Sequence, residues 1–390
     1  MKLIKSISLL FVLSLLGFQS VVAQSSAGRG LGYVRSAWNL DPGYLIAYSH
    51  ARFFGKVGNI NISQSVASAV TFWDVQQGLG FNYGISKNFE LELRPIIYQD
   101  NQHGDNGYNL IDDIFLALKI GSLGSTGGSI KYGIDVATRF PTAGIHNVAF
   151  EPYAAGKVSF GFNSRVSYSA DPLYPDDGLS YHLNVGYWNH NDVGEQLTTV
   201  DPAIDSTRVT TPTQELTFGT GVVLPSDRFD FSFELYGNSF IQQPPITAYS
   251  RENYLYVSPR VRYKAYRWLA LDTSVDLCVS SDKDETNYQF QGSFPDLPNY
   301  PAWRINIGAR VIILPTSVHS TSERDLLMKK AETRRELFEQ IIREQRETES
   351  AEDELERIKE ERRKAERELE RLRRILEGDA SKKKNNGDNN

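Results

Sequence analysis

The chain has 390 residues, 42 of them Lys or Arg against 48 Asp or Glu, for a net charge of −6. So weak an acidic balance gives nucleic acid no footing, and the single cysteine, Cys278, excludes an intrachain disulfide framework. Aromatics reach 12%, yet nothing after Ala23 is long and apolar enough to cross a membrane as a helix.

Residues 1–23 read as a secretory signal peptide. Lys2 and Lys5 supply the positive end, Ile7 to Phe18 the apolar run, and Val21-Val22-Ala23 small residues for cleavage before Gln24. Residues 24–42 form a short lead-in bearing Gly and Ser. Between residues 43 and 315, short segments alternate apolar and polar side chains. In the clearest, Phe89, Leu91 and Leu93 share one face and Glu90, Glu92 and Arg94 the other. A soluble sandwich would turn the apolar face toward a second sheet, whereas a membrane barrel turns it to lipid and keeps the charges in the lumen. With a signal peptide ahead of it, this pattern predicts an all-β transmembrane antiparallel barrel of about twelve strands, within a range of ten to fourteen.

The strands are expected near residues 43–54, 68–84, 88–99, 110–121, 128–140, 150–169, 179–189, 213–224, 228–240, 253–265, 267–280 and 302–314. Connections after the second, fourth, eighth and tenth are short, and those after the first, third, seventh, ninth and eleventh are longer. That is the asymmetry of periplasmic turns and outer loops in bacterial barrels. An even count leaves both chain ends in the periplasm. The last segment, Asn306-Ile307-Gly308-Ala309-Arg310-Val311-Ile312-Ile313, looks like the signal that barrel-assembly machinery reads on final strands, without the terminal aromatic.

The strand that ends Arg139-Phe140-Pro141-Thr142-Ala143 resembles the strand and Pro-Thr-Gly turn of Gram-negative outer-membrane proteins known as meta-pathway phenol-degradation-like transporters, with Ala143 at the glycine. The entry from Gly30-Leu31-Gly32-Tyr33 to Gly43-Tyr44-Leu45 resembles the start of barrels that carry a peptidoglycan-gripping C-terminal domain, which this chain lacks. These likenesses span most of residues 30–315 and imply a barrel of porin or transporter type.

Strand parity assigns inward charges: Glu90, Glu92, Arg94, Lys131, Asp135, Arg139, Asp230, Glu234, Arg260, Arg262, Lys264, Asp272, Asp276, Arg304 and Arg310. Acidic and basic strands alternate, so the charges either line a narrow aqueous passage or pair and close it. No catalytic or metal-binding constellation accompanies them. His103 with Asp100 and Asp105, His182, and His190 with Asn191 and Asp192 lack a suitably spaced nucleophile, and the histidines are too scattered for metal ligation. No cofactor is implied.

Composition changes at Thr316. From Ser322 to Glu377 nearly every residue is charged or a good helix former, and Gly378 is a natural stop. A periplasmic coiled-coil helix over 322–378 is expected, followed by a disordered tail over 379–390. Its seam includes Leu337, Ile341, Leu355, Ile358, Leu369, Leu372 and Leu376, spoiled by Arg362 and poor between Glu344 and Ala351. The expected partners are outer-membrane lipid, a second copy through the helix, and a periplasmic protein or peptidoglycan. Two functions compete: solute passage of the porin or transporter kind, and a closed anchor for a helical tether. A surface enzyme is a distant third.

Overall fold

A computed structural model describes residues 28–63, 66–102, 106–198, 201–280, 285–287, 299–320 and 323–385. The expected signal peptide and the last residues of the tail lie outside these. Thirteen strands follow in chain order: β1 Leu45–Ser63, β2 Val66–Gly84, β3 Phe89–Gln102, β4 Asn106–Leu110, β5 Ile114–Leu123, β6 Ile130–Phe140 and β7 Ser159–Ser169, then β8 Ser180–Asn189, β9 Gln214–Pro225, β10 Phe229–Gln242, β11 Tyr254–Tyr266, β12 Leu269–Cys278 and β13 Trp303–Leu314. Each pairs antiparallel with its neighbours, and β1 pairs with both β2 and β13, which closes the sheet. The short β4 continues the line of β5, both resting on β3, so the wall is a twelve-stranded barrel.

Alternation along the strands sorts the side chains. Leu91, Leu93, Leu116, Leu118, Ile134, Val136, Phe231 and Phe233 are exposed on the outer face, while Glu90, Glu92, Lys119, Asp135 and Glu234 between them are buried. Aromatics mark both ends of this apolar band, with Tyr83, Phe89, Tyr132, Tyr263 and Tyr266 toward the short turns and Phe53, Tyr108, Phe140 and Phe160 toward the long loops. Such girdles sit where hydrocarbon meets headgroups. In β13, Gly308 serves closure. The Tyr48 ring of β1 lies across it, so that a Cβ there would come 2.3 Å from the phenol oxygen, and that hydroxyl donates to Asp272 at 2.8 Å.

Three boundaries differ from the expectation. The strand expected from residue 110 begins at Ile114, because the connection expected after the third strand pairs with β3 as the extra strand β4. The connection after the first strand is not a long loop, because β1 and β2 run on to Ser63 and Val66 as a hairpin. Beyond Phe53, β1 no longer pairs with β13 and is held in its ladder by β2 alone. The strand expected from residue 150 begins instead at Ser159, because Phe150 adopts φ 69° and its segment turns into the barrel.

The C-terminal unit, residues 321–390, is separate from the barrel unit. A short helix α1, Ser317–Ser320, closes the first, where His319 stacks on Trp268 with centroids 5.1 Å apart. Helix α2, Glu323–Asn385, runs 63 residues. It passes through Gly378, the expected stop, and takes in most of the tail expected to be disordered. One glycine costs a helix only about 1 kcal/mol. Along it, Leu327, Leu355, Ile358 and Leu369 are more than half exposed, and ion pairs one turn apart join Arg335 to Glu339 and Arg362 to Glu366.

Candidate functional site

The lumen wall is built by the inward residues of nearly every strand. Glu90 faces Lys119 at 3.5 Å, Glu92 lies 3.1 Å from Arg94, and Asp135 meets Arg165 at 2.6 Å. Arg139 reaches Asp113 at 2.5 Å, and Lys264 reaches Asp230 at 2.7 Å. Asp272 receives Arg260 at 2.8 Å and Arg262, its direct cross-strand partner, at 3.6 Å; Arg260 also lies 3.4 Å from Glu234. Asp276 accepts from Ser258 at 2.7 Å. Arg304 is buried and Arg310 half-buried. The inward residues thus include both signs and largely neutralise one another. Removing one member of such a pair costs about 3–5 kcal/mol, because the other charge stays buried and alone.

Residues 28–42 occupy the space these side chains enclose. The segment enters from the short-turn end, where Arg29 contacts Asp176 and Asp41 at 3.1 Å each. It reverses around a bridge between Gly30 and Arg35 and returns to β1. At the reversal the main-chain N–H groups of Gly32, Tyr33 and Val34 all donate to the Glu234 carboxylate, at 3.0, 2.7 and 2.8 Å. At Gly32 a Cβ would lie 1.8 Å from Nη2 of Arg260, so a side chain there would have to displace that guanidinium. The Tyr33 hydroxyl donates to Asp276 at 2.6 Å, and its ring packs on Tyr236 at 4.0 Å between centroids. On the return, Asn184 accepts from the Arg35 N–H at 2.7 Å and donates to its carbonyl at 2.8 Å. Arg35 pairs with Glu92 at 2.9 Å. Ser167 then accepts from Ala37 N–H at 2.8 Å, Lys119 donates to Trp38 C=O at 2.7 Å, and Glu90 accepts from Leu40 N–H at 2.7 Å.

From the long-loop end, residues 141–158 fold inward as a lid. Phe150 is fully buried against Phe54 and Phe72, with Trp303 beside them. Its N–H donates to Asn299 C=O at 3.0 Å, and its carbonyl accepts from Arg304 at 2.5 Å. Glu151 pairs with Arg52, and Asn101 donates to Ala149 C=O. At the root of the lid, the Asp113 carboxylate accepts from Thr142 and Ala143 N–H at 3.1 and 3.3 Å. The Pro-Thr-Ala turn is therefore clamped by an aspartate as well as by its own geometry. A cavity of about 30 Å³ lies under the lid, with Arg52, Gln99 and His146 in its lining, and one of about 20 Å³ lies between the segment and the wall beside Arg94 and Trp188. Each has room for a water or two.

The other sequence candidates have plain surroundings. His182 is hydrogen-bonded within the wall to Ser167 at 2.7 Å and Ser180 at 3.2 Å. The His190 ring lies edge-on to Tyr153, and Asp192 accepts from Tyr153 OH and Thr213 N–H. His103 and Asp105 fall outside the described residues, and Asp100 accepts from Tyr98 OH at 3.0 Å. Among the described residues no group of three or more His, Cys, Asp or Glu is placed to hold a metal ion. Cys278 is half-buried beside Ser280. Sequence parity did not reach Arg52, Asp113, Glu151 or Arg165. Applied to β1 and β7 it would have found the first and last of these. The luminal role of residues 28–42 leaves one trace in the sequence, the density of Tyr33, Arg35 and Trp38 in a stretch without strand alternation.

A closed twelve-stranded barrel with an apolar, aromatic-rimmed exterior and a charged interior is an outer-membrane β-barrel of porin-like fold. Solved structures similar to it include the NanC porin, at 12% identity over 68% of this chain and 98% of that one with a TM-score of 0.41. An outer-membrane channel from Pseudomonas putida F1 aligns at 10% identity over 71% and 98%, TM-score 0.42. The Pseudomonas putida toluene transporter TodX aligns at 9% identity over 76% and 99%, TM-score 0.35. The barrel itself rests on its own strand pairing, independently of these distant likenesses. No protein-family model matches the chain, and no curated protein sequence matches it.

Proposed function

We propose that this protein is an outer-membrane channel for small solutes, shut at rest by its own N-terminal segment. The observation that carries this is the occupancy of the lumen. Residues 28–42 are held by polar side chains that, with the segment withdrawn, would line a hydrated passage of mixed charge. Among the described residues the segment contributes no strand to the barrel and leads directly into β1, so it can leave without breaking a strand pair of the wall. Planar-bilayer conductance of the full chain beside an Arg29–Leu40 deletion tests this. The full chain is expected to be silent with brief openings and the deletion to conduct steadily. A silent, folded deletion would refute it.

Helix α2 then follows the last strand on the periplasmic side and self-associates through Leu337, Ile341, Leu355, Ile358, Leu369, Leu372 and Leu376. The exposure of Leu355, Ile358 and Leu369 along a single chain supports this. A second reading, a permanently closed anchor whose helix tethers a periplasmic protein or peptidoglycan, is favoured by one feature. The lid also folds into the lumen, held by the Glu151–Arg52 pair independently of the N-terminal segment. Conductance of the deletion separates the two.

A further inference from the structure

We propose that the solutes this lumen takes are short peptides. The inference rests on the channel reading above and supplies its substrate class. What the wall recognises in residues 32–40 is chiefly main chain. Glu234 collects three successive N–H groups, and Asn184 grips the N–H and C=O of one residue together. Ser167, Lys119 and Glu90 take further N–H and C=O groups along the same run. Hydrogen bonds and ion pairs to its side chains are fewer, chiefly Tyr33 to Asp276 and Arg35 to Glu92, while Tyr33, Val34, Trp38 and Leu40 are buried by packing. A peptide unit presents one donor and one acceptor at fixed spacing whatever its side chains, so such a wall selects a chemical class and tolerates sequence.

The charges agree with this. Glu234 and Asp276 stand within the same stretch of wall as Arg260, which is held between Glu234 and Asp272. A free peptide brings an ammonium and a carboxylate, and a wall of both signs can receive both. A saccharide of equal size offers hydroxyl groups and no peptide unit for Asn184 to grip. The N-terminal segment is on this view a resident pseudo-substrate, displaced by peptides that compete for the same wall.

The test uses the full chain with Ser36→Cys in a Cys278→Ser background, its folding checked by heat-modifiable migration. Ser36 is 2% exposed, so labelling by a water-soluble thiol reagent reports departure of the segment. Four probes are added: the peptide of residues 28–40, the same composition in scrambled order, an oligoproline of equal length, and a maltooligosaccharide of similar mass. Both mixed peptides are expected to raise the labelling rate roughly tenfold, the change that about 1.4 kcal/mol of competition produces. Oligoproline, which has no N–H to offer, and the saccharide are expected to leave it unchanged. An equal response to oligoproline, a response to the native order alone, or no response to any peptide overturns the proposal.

The Arg29–Leu40 deletion separates this inference from the reading beneath it. A conducting deletion that scrambled peptide does not block overturns the peptide class and leaves the channel standing. A silent deletion that still binds the peptides in calorimetry overturns the channel and supports the peptide site.

Discussion

Glu234→Gln is expected to release the N-terminal segment while the barrel stays folded. In the native wall one carboxylate accepts three main-chain N–H groups at 2.7 to 3.0 Å, with no exposure to solvent. Hydrogen bonds to a charged group contribute about 1.5–3 kcal/mol each. The isosteric amide keeps one acceptor oxygen and turns an NH2 group toward the remaining donors, so about 3 kcal/mol of holding energy is lost. That is a shift of roughly 150-fold in the release equilibrium. Arg260 keeps its 2.8 Å partner Asp272, and no ladder bond is touched, so the unfolding temperature should move little. Hydrogen exchange followed by mass spectrometry of the 28–40 fragment reads the effect directly. Amides 32–34 are expected to exchange roughly 100-fold faster in the variant, with more frequent conductance bursts in bilayers. Exchange at the native rate would show that Glu234 does not hold the segment.

Three further outcomes follow from other parts of the molecule. His146 sits in the lid, and burial, reinforced by Arg139 and opposed by Asp113, lowers its pKa below the usual 6.5. The docked lid disfavours its charged form, so lid docking should be undiminished above about pH 6.5 and weaken as pH falls below it. Protease nicking of residues 141–158 between pH 7.5 and 5 checks this, and His146→Asn should flatten the response. Arg362→Leu repairs the one charged position in the Leu355–Leu376 seam, so the 322–378 peptide should associate at lower concentration in sedimentation and melt at higher temperature. Gly308→Ala places a methyl group against the Tyr48 ring, which Asp272 holds in place. The barrel should lose about 1–3 kcal/mol, read as a lower midpoint in urea refolding.

The wall was legible because alternation of period two is imposed twice, by lipid outside and by water and charge inside. Phe89 to Arg94 and Phe229 to Leu235 carry both signals, and their strands stand where expected. The upper part of β1 is interrupted by Gly55 and Gly58 before alternation resumes over Asn59-Ile60-Asn61-Ile62-Ser63, and its length was missed. The contents of the lumen left still less trace. Residues 28–42 form no regular element, and their main-chain groups are satisfied by Asn184, Glu234 and Glu90, partners 50 to 202 positions away. No local pattern encodes such contacts. The inward charges were visible by parity, but not their use. Glu234 and Glu90 hold a segment of their own chain as well as facing Arg260 and Lys119, a double duty that composition cannot express.

The residues that hold the N-terminal segment are drawn from β3, β5, β7, β8, β10 and β12. So scattered a set surrounds one space only after β13 has met β1. This segment can therefore dock only on a closed cylinder, and its docking reports that the wall was sealed in the right register. A barrel joined one residue out of step would turn its carboxylates to lipid and have nothing to offer the waiting amides.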